Sequence, residues 1–425
     1  MALETVFSTE ASAVVFGLGA TREVGPRMKA LGCQRVLLVT DPVLAGLESV
    51  AIALDSLRKA GIDVEVFSNV RVEPNDASWM EAIAVAQAGN FDGYVSVGGG
   101  SAMDTAKVAD LYATWPADLL DYVYVPLGRG IPVPGPLKPH IAIPTTAGTG
   151  AETTGNAVFD LTTHHVKTTV SHRYLRPTLG IVDPENTRTM PPLVAAASGL
   201  DVMSHALESF TAKPYNTREA PEDPLRRTAY QGANPLSDIW SARAIELCAT
   251  YLVRAVMDPE DDEARTNMML ASTTAGIGFG NAGVHLPHAM SYPVSALARD
   301  YYPEGYPDDH PMVPHGISVI LSAPAIFRWT AEANPDRHLE AARLMGVDTR
   351  GAAPEDGGAL LSDFLVDLMK RVEMPNGLNG VGITVDDLPA LVKGTQPQQR
   401  ITQLSPRPAT DDDYAAMFTE AMCYW

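Results

Sequence analysis

The run Tyr94-Val-Ser-Val97 passes without a break into Gly98-Gly-Gly-Ser101, and the helix-forming stretch Ala102-Met-Asp-Thr-Ala-Lys107 follows at once. Glycine lets a backbone approach an anion closely and take dihedrals that other residues resist. A helix opening behind the loop offers unpaired N–H groups and the positive end of its dipole, which suit a phosphate. Ser101 is placed to cap that helix, with Asp104 as its capping-box partner three residues on. A plain, well-capped glycine turn would look the same, and the run is not the G-x-G-x-x-G fingerprint. Its position between strand and helix nevertheless predicts a pyrophosphate-binding loop at the carboxyl end of a parallel strand.

The neighbouring segments agree. Val36–Thr40, Ile141–Ile143 and Leu179–Val182 are short apolar runs of the kind that fill a sheet covered on both faces, and Val64-Glu-Val-Phe67 reads as a further strand. Helical stretches over 47–60 and 76–88 alternate with them, so the chain reads as a parallel sheet with right-handed crossovers. A second loop, Pro144-Thr-Thr-Ala-Gly-Thr-Gly-Ala-Glu152, also follows a strand. Its threonines suit a phosphate or a carboxamide, although a solvated turn would read alike. Asp41, at the end of the first of these strands, is either a turn residue before Pro42 or an acceptor for a ribose, which would favour NAD over NADP. Residues 156–160 and 166–170 form a hairpin around Thr162-Thr-His-His165, with both histidines exposed at the tip. Lys167 is a surface residue or a contact to a cofactor ribose or nicotinamide.

After Val182-Asp-Pro184 the pattern becomes helical, with helices expected over 193–208, 239–257, 262–276, 331–344, 358–371, 385–392 and 411–422. The domain boundary is expected near residue 186, giving units of 1–186 and 187–425. Within the first of these helices Asp201 and His205 stand four residues apart and share a face. Such a pair is half a metal site or merely a cap and a buried polar residue. His288 and His315 offer further imidazoles, and one Asp with three His is a plausible ligand set for Fe(II) or Zn(II). His285, His288 and Tyr292 are spaced to line one face. His140, His172, His310 and His338 have no partner pattern and read as structural or surface residues. Two irregular stretches, 213–230 and 297–313, interrupt the helices, and long loops of this kind are often functional.

At 425 residues the chain exceeds a single core, which supports the two-domain reading. A net charge of −20 argues against nucleic acid and anionic membrane surfaces as partners. The three cysteines, Cys33, Cys248 and Cys423, form no disulfide framework and fit a reducing compartment. The first ten residues have neither a basic-then-apolar leader nor an Arg-rich one, so a cytoplasmic protein is expected.

Taken together, these motifs resemble the iron-containing (group III) alcohol dehydrogenase family over essentially the whole chain. The match rests on Gly98-Gly-Gly-Ser-x-x-Asp104-x-x-Lys107, on the 144–152 loop, on Gly199-x-Asp201-x-x-x-His205-Ala-x-Glu208, on His288 and on Pro314-His-Gly316. Runs at 229–240, 275–285, 309–316 and 391–400 look most like the branch that passes hydride from a hydroxy acid to a 2-oxo acid. The resemblance implies an α/β dinucleotide-binding domain followed by a mainly α-helical metal-binding domain, the dehydroquinate synthase-like fold. It implies Asp201, His205, His288 and His315 as ligands of a divalent metal, with Fe(II) favoured over Zn(II). It places Asp41, Asn75, Gly98, Gly99, Gly100, Ser101, Asp104, Thr145, Thr146, Thr149 and Lys167 at NAD. The expected partners are a small alcohol, a hydroxy acid such as 4-hydroxybutyrate, or an oxo acid such as 2-oxoglutarate, within a homodimer or larger homo-oligomer. Many members carry a further histidine four residues after the third ligand. Here that position is Tyr292, so His285 and Tyr292 are both candidates for the proton path. Arg226, Arg227, Lys393 and Arg400 are candidates for substrate carboxylate recognition.

Overall fold

The computed structural model describes residues 2–164, 166–224 and 227–425, so His165 and Arg226 lie outside the described residues. The chain divides into two compact units, Ala11–Met190 and a second made of Met1–Glu10 with Pro191–Trp425.

The first unit is built on eight strands: β1 (Ala13–Phe16), β2 (Arg35–Val39), β3 (Asp63–Phe67), β4 (Gly93–Gly98), β5 (His140–Pro144), β6 (Asn156–Leu161), β7 (Val166–Ser171) and β8 (Leu179–Val182). Six form a parallel sheet in the order β1-β8-β5-β4-β2-β3, and β6 pairs antiparallel with β7 as the expected hairpin. The helices are α1 (Val24–Ala30), α2 (Glu48–Lys59), α3 (Asp76–Gly89) and α4 (Gly100–Thr114). Alternate residues of β2 leave opposite faces, as strand pleating requires. Val36 and Leu38 join one buried cluster with residues of α1 and α2, while Leu37 and Val39 join another with residues of α3 and α4. Burial on both faces is why these strands read as continuous apolar runs. From β2 the chain goes to β3 on one side and returns to β4 on the other. The carboxyl ends of β2 and β4, bearing Asp41 and the triple glycine, therefore flank the topological switch point, where such sheets take ligands.

His140 sits fully buried in this sheet, its Nε2 2.8 Å from Ser96 Oγ. Burial, reinforced by Lys107, depresses its pKa from 6.5 to about 3. The unfolded chain therefore binds a proton below pH 6.5 that the folded sheet refuses until about pH 3. Stability that is full above pH 6.5 is lost as the pH falls through that window, by roughly 3 kcal/mol at about pH 4.5. Thermal melts at neutral pH and at about pH 4.5 check this. His140→Gln, which has no such proton to take up, is expected to lose correspondingly less on acidification.

The second unit is helical: α5 (Pro192–Thr211), α6 (Pro235–Met257), α7 (Asp262–Ala282), α8 (Leu286–Ala296), α9 (His315–Ile320), and further helices from Ala323 to Glu420. Residues 1–10 belong here. Glu4 pairs with Arg227, its Oε2 3.0 Å from Nε, and Glu10 N donates to Asn281 Oδ1 at 2.8 Å. Helices α5, α6 and α7 pack closely because glycines stand where their neighbours approach. A Cβ on Gly199 would stand 2.2 Å from Leu252 Cδ1, and one on Gly278 2.4 Å from Ser241 Oγ. No described helix is long and apolar enough to cross a membrane.

Candidate metal centre and cofactor loops

The centre is organised by α5. Ala195, Ala196 and Ala197 favour helix in its first half, and Leu200, Met203, Ala206 and Leu207 bury its sides. Asp201, His205 and Glu208 fall at i, i+4 and i+7, so one buried face carries two carboxylates and an imidazole. Opposite them stand His288 in the first turn of α8 and His315, the first residue of α9. His288 Nε2 lies 3.5 Å and His315 Nε2 3.9 Å from Asp201 Oδ1. Among the described residues, ligand atoms of Asp201, His288 and His315 all lie within 4.8 Å of one another. His205 is outside that group of three but adjoins it, with Nδ1 3.8 Å from Asp201 Oδ2. Its ring stacks on Phe279 at 4.0 Å and on His288 at 4.5 Å.

Two buried carboxylates in one cluster need compensating charge. Among the described residues, the ion-pair partners of Asp201 and Glu208 are all imidazoles. Burial alone would raise Asp201, but His205, His315 and His288 overrule it and hold the carboxyl far below its ordinary range. Burial likewise opposes charge on His288, yet Glu208 and Asp201 lift it to about 9, while His205, mainly desolvated, falls to about 3. Asp201 Oδ1, His205 Nδ1 and His288 Nε2 are buried and have no hydrogen-bond partner. Converging ligand atoms without partners, beside buried carboxylates, match what a divalent cation requires, which displaces protons from its imidazole ligands as it binds.

Glu208 is the functional residue that sequence reasoning undervalued. It stands in the motif, and its i+3 spacing from His205 is the signal that puts it on the same helix face. It is completely buried. Oε1 accepts the backbone N–H groups of His285 at 2.8 Å and His288 at 3.1 Å, so it satisfies amides at the start of α8. Oε2 accepts a hydrogen bond from His288 Nδ1. A carboxylate can only accept, so Nδ1 carries a proton, and Nε2, which faces Asp201, is the nitrogen left to bind a cation once it gives up its own proton. In Glu208→Gln one amide N–H must oppose a donor, either His288 Nδ1 or the helix amides. Metal affinity is expected to fall about 10–100-fold, which competition with a chromogenic chelator measures.

His285 departs from the shared face. It precedes α8 with φ −136 and ψ −122, and its Nε2 lies 3.0 Å from Thr211 Oγ1, its ring edge-on to Phe327. Tyr292 stays on the side of the centre, with ring centroids 6.5 Å from His315. Of the carboxylate candidates, Arg227 is committed to Glu4, Lys393 is exposed, and Arg400 lies over the Tyr230 ring at 4.7 Å. Tyr230 and Tyr292 share one buried cluster.

In the α/β unit the two small-residue loops face each other. A Cβ on Gly99 would stand 3.4 Å from Thr146 Oγ1, and one on Gly100 only 2.7 Å from Thr149 Cγ2. Thr145 N donates to Gly98 O at 3.0 Å. Asp41 Oδ2 lies 4.0 Å from where a Gly98 Cβ would be, and Oδ1 accepts the amides of Val43 and Leu44 at 2.9 Å each. Asp41 is thus a turn former set beside the loop. Asn75 caps α3, accepting Ser78 N at 2.8 Å. The expected capping box is not formed. Helix α4 already begins at Gly100, so Ser101 lies inside its first turn, and its hydroxyl accepts Glu73 N at 3.2 Å. Asp104 turns away to Lys107 Nζ at 3.1 Å and Val158 N at 3.0 Å. Lys167 is buried rather than superficial, gripped by Glu73 and Asp160.

A phosphate-type loop at the switch point of a parallel sheet and a buried carboxylate–imidazole cluster on helices are the two features expected of the class of metal- and dinucleotide-dependent oxidoreductases. The family model described as iron-containing alcohol dehydrogenase matches residues 11–184, and the C-terminal model of that family matches 229–422. The chain belongs to the iron-containing alcohol dehydrogenase family and is an oxidoreductase. It is 52% identical over 418 residues to the mitochondrial hydroxyacid-oxoacid transhydrogenase of Homo sapiens, covering 98% of this chain and 90% of that one. Among solved structures, a 1,3-propanediol oxidoreductase superposes with a TM-score of 0.86 at 30% identity, covering 98% and 100% of the two chains. The sulfoacetaldehyde reductase of Bifidobacterium kashiwanohense, solved with NAD+, gives 0.80 at 27% identity and covers 99% of each.

These relatives overturn one expectation. The transhydrogenases that match over nearly the whole chain are mitochondrial proteins, so the cytoplasmic assignment does not stand.

Proposed function

We propose that the chain is a metal- and NAD-dependent hydroxyacid–oxoacid transhydrogenase, with Asp201, His205, His288 and His315 as the ligands of a divalent cation, iron in preference to zinc. The observation that carries this reading is the set of buried, partnerless ligand atoms on Asp201, His205 and His288. The likeness to the human transhydrogenase supports the substrate class, and the NAD+ in the sulfoacetaldehyde reductase supports the cofactor. When bound, the cation supplies Lewis acidity that lowers the pKa of a substrate hydroxyl and carries charge on its oxygen. When bound, the dinucleotide supplies a hydride acceptor and donor.

The chain's own residues do the rest. Glu208 fixes the tautomer of His288 and so its lone pair. Phe279, stacked on His205, keeps water from that side of the cluster. Tyr292, beside His315, is the candidate to hold the hydroxyl proton, a task His285 cannot share from its place against Thr211. Arg400 is the candidate for the substrate carboxylate, since a guanidinium can grip it with two parallel hydrogen bonds. The net exchange moves one hydride and one proton from the hydroxy acid to the oxo acid.

The test combines anaerobic metal analysis with oxidation of 4-hydroxybutyrate at catalytic NAD, with and without 2-oxoglutarate. The expected result is stoichiometric metal and turnover that requires 2-oxoglutarate without accumulating free NADH. Free NADH accumulating regardless of 2-oxoglutarate would make the protein a plain dehydrogenase with exchangeable cofactor.

A further inference from the structure

Three described residues other than glycine have positive φ: Glu73 at 56°, Asn90 at 51° and Glu373 at 56°. Asn90 is the C-cap of α3, and Glu373 follows the C-cap of the helix Gly357–Arg371, where left-handed residues are ordinary. Glu73 closes no helix. A glutamate held left-handed costs conformational energy and persists only when its surroundings fix it, and such residues cluster at functional sites.

Its contacts show what holds it there. Its amide donates to Ser101 Oγ at 3.2 Å, in the turn that follows the triple glycine. Its Oε2 lies 2.6 Å from Lys167 Nζ, and Asp160 Oδ1 lies 2.9 Å from the same nitrogen. The next residues continue the tie: Pro74 O accepts Asp160 N at 2.8 Å, and Asn75 bridges to Asp160. One strained residue thus joins the glycine turn to the β6–β7 hairpin. It does so through Ser101 and Lys167, two residues that the family resemblance places at the cofactor. A serine hydroxyl that accepts from a backbone amide keeps its own hydrogen to donate, and phosphate oxygens only accept. An ammonium with two carboxylates on it has its direction set. Burial alone would depress Lys167, and Asp160 and Glu73 reverse that, so it stays charged.

We infer that Glu73 is a positioning residue for the dinucleotide: by locking the Ser101 hydroxyl as a donor and the Lys167 ammonium in place, it sets how slowly the nicotinamide cofactor leaves the protein. This rests on the reading that the α/β unit binds NAD. A transhydrogenase needs such retention, because its reduced cofactor must survive from one substrate to the next.

The test is the release of NADH from the full-length protein. NADH-loaded protein is mixed with excess NAD+ in a stopped-flow instrument while energy transfer from protein tryptophan to NADH is followed. Glu73→Gln keeps the shape and loses the charge. Glu73→Gly removes the side chain and also relieves the left-handed strain, so it remains informative should the first variant fold poorly. Both are expected to release NADH at least about ten-fold faster than wild type, with melting temperatures of the cofactor-free proteins little changed. Release within two-fold of wild type in both variants overturns the inference, as does loss of stability without faster release. Wild-type protein that shows no energy transfer with NADH would instead refute the cofactor reading itself, and this inference with it.

Discussion

Replacing His288 with alanine is expected to empty the metal centre and lower turnover by about 10³-fold or more, since a Lewis acid contributes several kcal/mol to such a reaction. His288 is the hinge of the cluster. One ring nitrogen faces Asp201 at 3.5 Å, the other donates to Glu208, and the ring stacks on His205 at 4.5 Å. Removing it takes away a proposed ligand and the partner of a completely buried carboxylate. The metal-free variant is therefore also expected to lose about 3–5 kcal/mol, the usual consequence of leaving a buried charge unpaired. Metal content after anaerobic purification, hydride transfer and thermal unfolding are the three measurements. Wild-type turnover in His288→Ala would remove it from the centre. Glu208→Gln should show the milder version of the same defect, weaker binding with the ligand itself intact.

What could be read from the chain depended on whether the determining contact was local. Strands β2, β4 and β5 are buried on both faces, so their apolar runs announce them. Strand β1 is an edge strand with mostly exposed side chains and has no such pattern, and no strand is expected there. Asp201, His205 and Glu208 share a face by helical geometry alone. His288 and His315 reach that face only because α8 and α9 fold back on α5, and spacing cannot reveal this. The same limit explains the capping error at Ser101. The residue that claims its hydroxyl, Glu73, is 28 positions away in sequence. It explains His285 too: the start of α8 falls between His285 and Leu286, which turns the first histidine aside while the spacing still suggests a common face. The first ten residues join the helical unit through Glu4 and Glu10, whose partners lie more than two hundred residues on.

Gly316→Ala is expected to disable the centre without altering any ligand. A Cβ at this position would stand 2.1 Å from Ala197 O and 2.7 Å from Ala197 C, both backbone atoms of α5, and 3.2 Å from Asp201 Cβ. Backbone in the middle of a packed helix cannot yield as the end of a flexible side chain can, so α9 must move instead. His315 is the first residue of that six-residue helix, and its Nε2 stands 3.9 Å from Asp201 Oδ1. A shift of about 1 Å is enough to spoil ligand convergence, and misplacement of that size costs on the order of 10²-fold in rate. Overpacking should add a stability loss of about 1–3 kcal/mol. Gly46→Ala is the control, because a Cβ there meets nothing within 4 Å and the backbone needs no positive φ. Metal stoichiometry, turnover and melting temperature of the two variants are compared with wild type. Full metal content and full turnover in Gly316→Ala would mean that the contact of α9 with α5 does not hold His315 in the group.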